Sequence, residues 1–487
     1  MAYKHGVYNS EIDTSLTTPI QGSAGLQVIF GTAPIHLSAD PAKAANTPML
    51  CYSFKECQQA VGYTDDFEKF TLCQSIDACF RVFNVAPIIL VNVLDPSNTK
   101  HTTQNAEESC EVMDGQLFYE KPYVLLNTLT VKNGDAELVA GSDYTATHDD
   151  DGTGVVISLI SQAAKEAESL TVASTSLNPD GVTKEDIVGG VDTVTGKETG
   201  LELVRQIYPK LGMTPGLLLA PGWSQDAVVA AALQAKVEAV NGVFDCNCIL
   251  DIAADETGAT VYTDVKTAKE NMGARTNHGV ALWPMVAVGE KIYYYSAMFG
   301  ALVAYTDASN ADVPYESPSN KDLRITATVL KDGTEVVLDQ QQANDVLNAN
   351  GVITAINANG FKSWGNNTAA YPSTTDPKDR WFAVRRFFDW DGNNFIRTYF
   401  QKVDKPGNKR LIQSIVDSQN IIGNGYVARD YCAGYRVEFR SDENPVTNLL
   451  DGHLTVHTYL APYIPAEFIE NIREYDVEAL ESAIGGE

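Results

Sequence analysis

Three acidic side chains at the end of one predicted strand are the best candidates for catalysis or metal binding. Asp251, Asp255 and Glu256 stand at and just after the end of the apolar run FDCNCILDI. Ligands of open α/β sheets bind beyond the carboxyl ends of the strands, where paired carboxylates can hold Mg²⁺ or act as acid and base. The alternative is that all three are solvated loop acids, in a chain that has 63 acidic residues.

Other reactive residues lack the partners that known chemistries require. Ser224 follows a predicted strand without the G-x-S-x-G pattern of a nucleophile elbow, so we expect it to cap a helix that runs to Val240. His453 and His457 share one face of a predicted strand, but no third metal ligand stands at a recognisable spacing. The eight cysteines are spread along the chain and favour buried, reduced thiols. Without a dinucleotide, Walker A or HExxH motif, we predict no cofactor and no enzymatic activity.

One segment differs in charge from the rest of the chain. The whole chain carries a net charge of −28, which argues against binding to nucleic acid or to anionic lipid. Between residues 380 and 410, eight basic residues stand against three acidic ones, a net charge of +5. The candidate docking residues are Arg385, Arg386, Arg397, Lys402, Lys405, Lys409 and Arg410. They could guide docking to an acidic partner, or they could pair with carboxylates of the same chain.

Strands that alternate with helices position most of these candidates. Apolar runs at 26–35, 87–94, 216–220 and 243–252 are typical of strands that are buried on both faces of a mainly parallel sheet. Between about 103 and 185 the pattern changes to alternating strands separated by hairpin turns, which predicts an inserted β domain.

The last quarter of the chain has the pattern of a small α+β domain. Apolar residues recur at helical spacing from Leu411, behind Asn408 as the expected cap, and we expect the helix to end before Gly423. Alternating residues at 435–440 and 453–460 predict two half-buried strands. The acidic segment beyond Pro465 is expected to be an arm that leaves this domain. We expect no signal peptide and no membrane span, because no apolar run is long enough.

Eight short segments form an ordered pattern from one end of the chain to the other. They are KHGVY (4–8), TSLTTPI (14–20), IFGTAPI (29–35), WPMVAVG (283–289), ESPSNK (316–321), RRFFDW (385–390), KRLIQSIVDSQNI (409–421) and ENP…LLDGHLTVHTYLAP (443–462). Together they resemble the contractile tail sheath proteins of phages and phage-derived bacteriocins. No single segment names a chemistry, but their order is specific and covers almost the whole chain.

The resemblance implies a structural protein with an α/β plus α+β multidomain fold. The predicted division is an N-terminal arm at 1–25, an α/β core at 26–102 and 186–350, an inserted β-sandwich-like domain at 103–185, a C-terminal α+β domain at 351–465 and a C-terminal arm at 466–487. In the family, subunits form six-fold rings stacked helically around a tail tube, and contraction drives the tube through the target cell envelope. The C-terminal domain faces the tube, so the basic segment is the candidate tube-facing surface.

The implied partners are further copies of the chain, the tail tube protein, and the baseplate and tail terminator proteins, without nucleic acid or membrane insertion. The implied location is a virion tail or a released bacteriocin particle, assembled in the cytoplasm of the host bacterium. The residues leave one alternative hypothesis open. It is a cytosolic α/β enzyme with an acid-base or metal site at Asp251, Asp255 and Glu256.

In that family, both terminal arms contribute strands to a sheet that neighbouring subunits share, which pairs strand edges that would otherwise be exposed. The arms map to about 2–20 and 468–483 here. The N-terminal candidates are Tyr3, His5, Val7, Tyr8, Ile12 and Leu16. The C-terminal candidates are Phe468, Ile469, Ile472, Tyr475, Val477 and Leu480.

Overall fold

A sheet of eight strands forms the centre of the molecule. The computed structural model describes residues 20–21, 23–150 and 152–485. Across the sheet the strands follow the order Phe361–Trp364, Val352–Asn357, Gly279–Leu282, Asn247–Asp251, Leu217–Leu219, Gln27–Gly31, Ile88–Asn92 and Met49–Cys51. The six inner strands are parallel, and the two edge strands are antiparallel to their neighbours. The fold is mixed α/β with several sheets, as the sequence predicts.

Helices cover both faces of this sheet, which explains why its inner strands are almost uniformly apolar. The principal helices are Phe54–Val61, Leu72–Asp77, Ala227–Ala235, Val265–Met272 and Tyr295–Ser309. The central strand Gln27–Gly31 is buried at every position. The helix Tyr295–Ser309 is buried along most of its length, so it packs as an internal element of the core.

Three local predictions were wrong. Ser224 does not cap a helix that runs to Val240: Asp226 caps a shorter helix, Ala227–Ala235, and Ser224 is buried against Asp251. The predicted helix end before Gly423 is also wrong, because the helix runs over Lys409–Ala428. Gly423 lies against the ring of Tyr435, where any Cβ would overlap that ring, so this glycine serves close packing and not termination. The predicted strand at 453–460 begins only at His457.

Residues 102–177 form two small antiparallel sheets around a hydrophobic cluster of their own. One sheet has the order Thr102–Glu111, Ser169–Leu177, Thr130–Asn133 and Ala136–Glu137, and the other has the order Tyr144–His148, Val155–Leu159 and Gln116–Tyr119. Leu117 and Val155 from one sheet and Val131 and Val172 from the other belong to the same buried cluster. This is the packing of two inner sheet faces, although the boundaries predicted for an inserted domain stay a prediction.

The C-terminal residues fold around a third and smaller cluster. The helices Phe382–Tyr399 and Lys409–Ala428 lie with a two-stranded antiparallel sheet, Cys432–Glu438 and His457–Pro462. Phe387, Cys432, Tyr435 and Val437 form the buried centre of this cluster. The Asn408 side chain accepts a hydrogen bond from the backbone N–H of Leu411, which confirms the predicted helix cap.

Shorter elements complete the described chain. A three-stranded sheet has the order Lys291–Tyr293, Met285–Val288 and Ala327–Val329, and two-stranded pairs join Ile20–Gln21 to Val85–Ala86 and Gly190–Val191 to Glu198–Thr199. Short α-helices span Pro41–Ala44, Gln162–Lys165, Lys184–Val188, Ile207–Leu211, Gln340–Gln342, Pro377–Arg380, Val446–Leu450 and Val477–Ile484. Turns of 3₁₀ helix span Ile35–Leu37, Leu126–Thr128, Pro179–Gly181, Gly200–Gln206, Tyr262–Asp264, Asn348–Asn350 and Phe400–Lys402, and π-helical turns span Ala78–Phe83 and Ala343–Leu347.

Candidate functional site

The carboxylate of Asp251 is closed off inside the core. Its Oδ1 accepts a hydrogen bond from the backbone N–H of Ser296 at 2.8 Å, and its Oδ2 accepts from the hydroxyls of Ser296 at 2.5 Å and Ser224 at 3.3 Å. Burial raises the pKa of Asp251 to about 6, and these hydrogen bonds oppose the rise. Because the side chain is only 4% exposed and stands at the start of the helix Tyr295–Ser309, it acts as a buried helix cap.

The two neighbouring acids do not complete a reactive site. Asp255 accepts hydrogen bonds from the backbone and hydroxyl of Thr257 and lies 3.8 Å from Lys331, while Glu256 is exposed. Within the described residues, no three His, Cys, Asp or Glu side chains are grouped as metal ligands would be. Together with the relatives reported below, this arrangement gives the enzyme alternative no support.

Two of the predicted docking arginines form ion pairs within the chain, and the burial of Arg386 contradicts its assignment to a basic surface. Both terminal guanidinium nitrogens of Arg386 donate to the carboxylate of Asp307, and the two side chains are 3% and 1% exposed. Arg385 pairs with Asp389 at 2.7 Å and with Asp379 at 3.3 Å. The Arg386–Asp307 pair joins the helix Phe382–Tyr399 to the core helix Tyr295–Ser309, whereas Arg385 pairs within its own helix and with the short helix Pro377–Arg380 before it. Pairing within the chain is the alternative that the sequence left open.

His278 and Asp389 belong to the same polar cluster as Arg385. The sequence did not single them out as candidate functional residues. Asp389 accepts a hydrogen bond from the Asn247 amide at 2.8 Å and lies 3.2 Å from Nδ1 of His278. Burial disfavours a charged His278, but the Asp389 carboxylate outweighs burial and raises the pKa of the imidazole. Asn247 begins one central strand, and His278 directly precedes the next. The only sequence signal for this cluster was therefore that two polar residues stand at the starts of two predicted strands.

Five predicted docking residues do lie at the surface. Arg397, Lys405, Lys409 and Arg410 are exposed, and Lys402 is half-buried. In the part of the chain that the structure describes, none of the five forms a salt bridge. Their assignment to a tube-facing surface stays a prediction.

Three of these lysines rim an apolar groove, which we call the C-terminal groove. Its volume is about 1390 Å³, compared with 710 Å³ and 630 Å³ for two other grooves. Its apolar lining comes from four separate segments: Phe395, Tyr399, Val403, Leu411, Ile412, Ile415, Val416, Phe439, Leu449, Leu454 and Val456. Lys402, Lys405 and Lys409 lie on the rim with Asp404 and Asp417. An unfilled apolar groove of this size marks an interaction surface.

The C-terminal arm projects from the molecule with its apolar side chains exposed. Phe468, Ile469 and Ile472 are 82–85% exposed, and Tyr475, Val477 and Leu480 are 41–70% exposed. Its root is held by Glu467, which contacts Arg380 at 3.2 Å and Asn366 at 3.4 Å. The predicted strand is wrong for the last part of the arm, because Val477–Ile484 is a helix capped by Asp476.

The candidates of the N-terminal arm, Tyr3, His5, Val7, Tyr8, Ile12 and Leu16, lie outside the described residues. Just after the arm, at residues 23–24, the chain is hydrogen-bonded to the loop that follows the helix Tyr295–Ser309. The backbone N–H groups of Ser23 and Ala24 and the hydroxyl of Ser23 all donate to the carboxylate of Asp312.

The overall fold matches chains of solved contractile injection systems. The chain matches the PVC sheath complex of an extracellular contractile injection system in its contracted state, with a TM-score of 0.57 and 14% identity, over 98% of this chain and 99% of that one. It also matches a chain from the baseplate structure of the anti-feeding prophage, with a TM-score of 0.58 and 14% identity, over 98% of this chain and 100% of that one. The anti-feeding prophage sheath in its contracted state gives a TM-score of 0.56 at 14% identity, over 97% and 99% of the two chains.

The chain is also similar in sequence to proteins that are named tail sheath proteins. The tail sheath protein of Burkholderia phage BcepMu is 25% identical over 493 residues, which cover 99% of this chain and 99% of that protein. The tail sheath protein of Escherichia phage P2 is 24% identical over 369 residues, 71% of this chain and 83% of that protein. The resemblance to phage tail sheath proteins is therefore confirmed. No protein-family model matches the chain. Among the helices of the described residues, none combines the length and apolarity that a bilayer crossing requires.

Proposed function

We propose that this chain is the structural subunit of a contractile tail sheath. It polymerises as stacked, helically related six-fold rings around a tail tube, and contraction drives the tube through the target cell envelope. The observation that carries the proposal is the match to a phage tail sheath protein over 99% of both chains. The fold shared with contracted sheath subunits supports it independently.

The mechanism is mechanical and uses repeated contacts between copies. A head-to-tail contact whose rotation does not close generates an open helical assembly, so one type of subunit builds the whole cylinder. The extended sheath is a kinetically held state that relaxes to a shorter and wider one when the baseplate releases it. Each subunit contributes a modest free-energy difference, and the sum over many subunits moves the tube.

The terminal arms link the copies by adding strands to a neighbour's sheet. The two-stranded sheet of Cys432–Glu438 and His457–Pro462 supports this assignment, because each strand has only one neighbour within the described residues. An isolated two-stranded sheet is marginally stable, and added strands would pair its open edges. We assign residues 468–476 of the C-terminal arm to this role, since they form no strand in their own chain. The N-terminal arm candidates, from Tyr3 to Leu16, are assigned the same role.

The partners in this function are further copies of the chain, the tail tube protein, and the baseplate and tail terminator proteins. The place of action is a phage virion tail or a released bacteriocin particle, assembled in the host bacterial cytoplasm. The match to a chain from a contractile baseplate structure supports assembly with further tail components.

Electron microscopy of the purified chain tests the proposal. At high protein concentration we expect hollow, striated cylinders of constant diameter. Discrete monomers or small oligomers at every concentration, with or without a tail tube to assemble on, would contradict it.

A further inference from the structure

We propose that the C-terminal groove of one copy receives the terminal helix Val477–Ile484 of a second copy. This inference rests on the proposed assembly and names a contact within it. The groove and the helix are both uncovered by the residues that the structure describes, and they are complementary in chemistry, size and position. The contact is a helix seated in a groove, separate from strand addition by the preceding part of the arm.

The chemistry of the helix matches an apolar groove. Val477, Leu480 and Ile484 recur at positions i, i+3 and i+7, so they lie on one face of the helix. They are 56%, 41% and 76% exposed, so the described residues leave most of this face open to solvent. The groove offers it an apolar lining that includes Tyr399, Ile412 and Leu454.

Charge favours the same pairing. Six acidic residues and one basic residue lie between 466 and 485, and Glu478 and Glu481 flank the apolar face of the helix. The groove rim carries Lys402, Lys405 and Lys409 against Asp404 and Asp417, in a chain whose total charge is −28. Lysines without salt-bridge partners in the described chain are therefore placed where an acidic helix can use them.

Size also agrees. A helix of eight residues is about 12 Å long and, with its side chains, about 10 Å across, so it occupies roughly 900 Å³. The C-terminal groove, at about 1390 Å³, is large enough to seat one face of a helix of this size.

Position links this contact to the proposed strand addition. Phe439 follows the strand Cys432–Glu438 directly, and Val456 precedes the strand His457–Pro462 directly, so the groove begins where the two-stranded sheet ends. An arm that added residues 468–476 to this sheet would deliver its terminal helix to the groove. A segment of nine residues spans about 30 Å when extended.

Mixing two single-cysteine variants tests the contact in the full-length chain. All eight native cysteines are buried, so they do not compete for the engineered disulfide. We expect polymers formed from equal amounts of Leu480→Cys and Ile412→Cys to give a disulfide-linked dimer when oxidised glutathione is added. Ser482→Cys, on the opposite face of the same helix, is the matched control and should give at least about fivefold less dimer with Ile412→Cys.

Charge reversal gives a second and independent readout. Lys405→Glu with Lys409→Glu should raise the critical concentration for polymerisation several-fold, and Glu478→Lys with Glu481→Lys in the same chain should restore it. Leu480→Asp should raise the critical concentration about tenfold or more, because it places a charge in the apolar contact.

The outcomes separate this contact from the proposed function. If wild-type cylinders form, but the Leu480→Cys and Ile412→Cys dimer does not and Leu480→Asp assembles normally, the groove assignment is overturned and the sheath function stands. If lysine reversal leaves tube-free polymers unchanged, the rim makes no contact between copies and the assignment is overturned. A third sample is a single chain that carries both Leu480→Cys and Ile412→Cys. A disulfide formed only within that chain, without dimers in the mixture of single variants, would place the helix in its own groove and overturn the second copy as occupant. Absence of any wild-type polymer overturns the sheath function and this contact with it.

Discussion

The central sheet and the C-terminal region differ in how completely they bury their apolar side chains. In the central sheet, apolar strands are covered on both faces, and the buried Asp251 carboxylate meets hydrogen-bond donors from its own chain. In the C-terminal region, a groove of about 1390 Å³ and the apolar side chains of an arm are left uncovered. The buried residues of the central sheet stabilise the fold, whereas the exposed apolar residues of the C-terminal region are available for contacts between copies.

The largest difference should appear when one buried charge loses its partner. Arg386→Met leaves Asp307 buried without its counter-charge, so we expect the free energy of unfolding to fall by about 3–5 kcal/mol. The double change Arg386→Met with Asp307→Leu should recover most of this loss, because the pair is replaced by apolar contacts. The measurement is urea unfolding of dilute, unassembled protein.

The matched control for that prediction is Arg410→Met, since Arg410 is an exposed arginine of the same segment. Its unfolding free energy should stay within about 0.5 kcal/mol of wild type. A loss of less than 1 kcal/mol for Arg386→Met would contradict the view that this pair fastens the C-terminal helix to the core.

The same chemical change in the two regions should have unequal effects on stability. Ile249 is fully buried in the strand Asn247–Asp251, so Ile249→Ala should cost about 2–5 kcal/mol. Ile412 lines the open groove and keeps part of its surface in solvent, so Ile412→Ala should cost less than about 1.5 kcal/mol in unassembled protein. Equal losses in urea unfolding would remove the distinction between the two regions.

The buried Asp251 should give the core a characteristic dependence on pH. Its pKa in the folded chain, about 6, is raised above the ordinary value of 3.8, so protonated Asp251 favours folding. This contribution is fully present below about pH 4 and is lost as the pH rises through 6. Between pH 3.5 and 7, the difference in unfolding free energy between wild type and Asp251→Asn should therefore move by up to about 3 kcal/mol in favour of the variant. A difference that does not change with pH would show that the carboxyl has an ordinary pKa in the folded chain.

Local sequence patterns were sufficient to predict the strands of the core. Its strands are short apolar runs that alternate with helices, and the runs at 87–94, 216–220 and 243–252 contain strands of the central sheet. Burial of charged residues could not be predicted in the same way. Arg386 and Lys405 belong to one basic segment, but only Arg386 meets a carboxylate, on Asp307, 79 residues away in sequence.

The candidate assembly surface was predicted only in part. Among the described residues, none beyond Pro465 belongs to the C-terminal cluster, and the last residues of the arm were expected to form a strand on the strength of the family resemblance. The local sequence favours a helix, because Asp476 caps a run rich in Ala, Leu and Glu. The groove brings together four segments between Phe395 and Val456, so only the folded chain defines it.

A smaller effect should follow from removing the cap of the helix that borders the groove. Asn408→Ala deletes the acceptor for the backbone N–H of Leu411, so we expect a loss of about 1 kcal/mol in unfolding free energy. Asn424→Ala, at an exposed position of the same helix, is the control and should change stability by less than about 0.5 kcal/mol. An equal loss in both variants would mean that helix propensity, and not capping, sets the effect.

The central claim is that the C-terminal arm assembles the protein and does not fold it. A chain ending at Pro465 lacks the exposed arm, and among the polar contacts of the described residues it loses those of Glu467 with Arg380 and Asn366. Sedimentation velocity and electron microscopy of this chain and of wild type, at equal concentration, measure assembly directly. We predict wild-type cylinders, and monomers of unchanged melting temperature for the shortened chain. Cylinders formed by the shortened chain at the wild-type critical concentration would contradict the account.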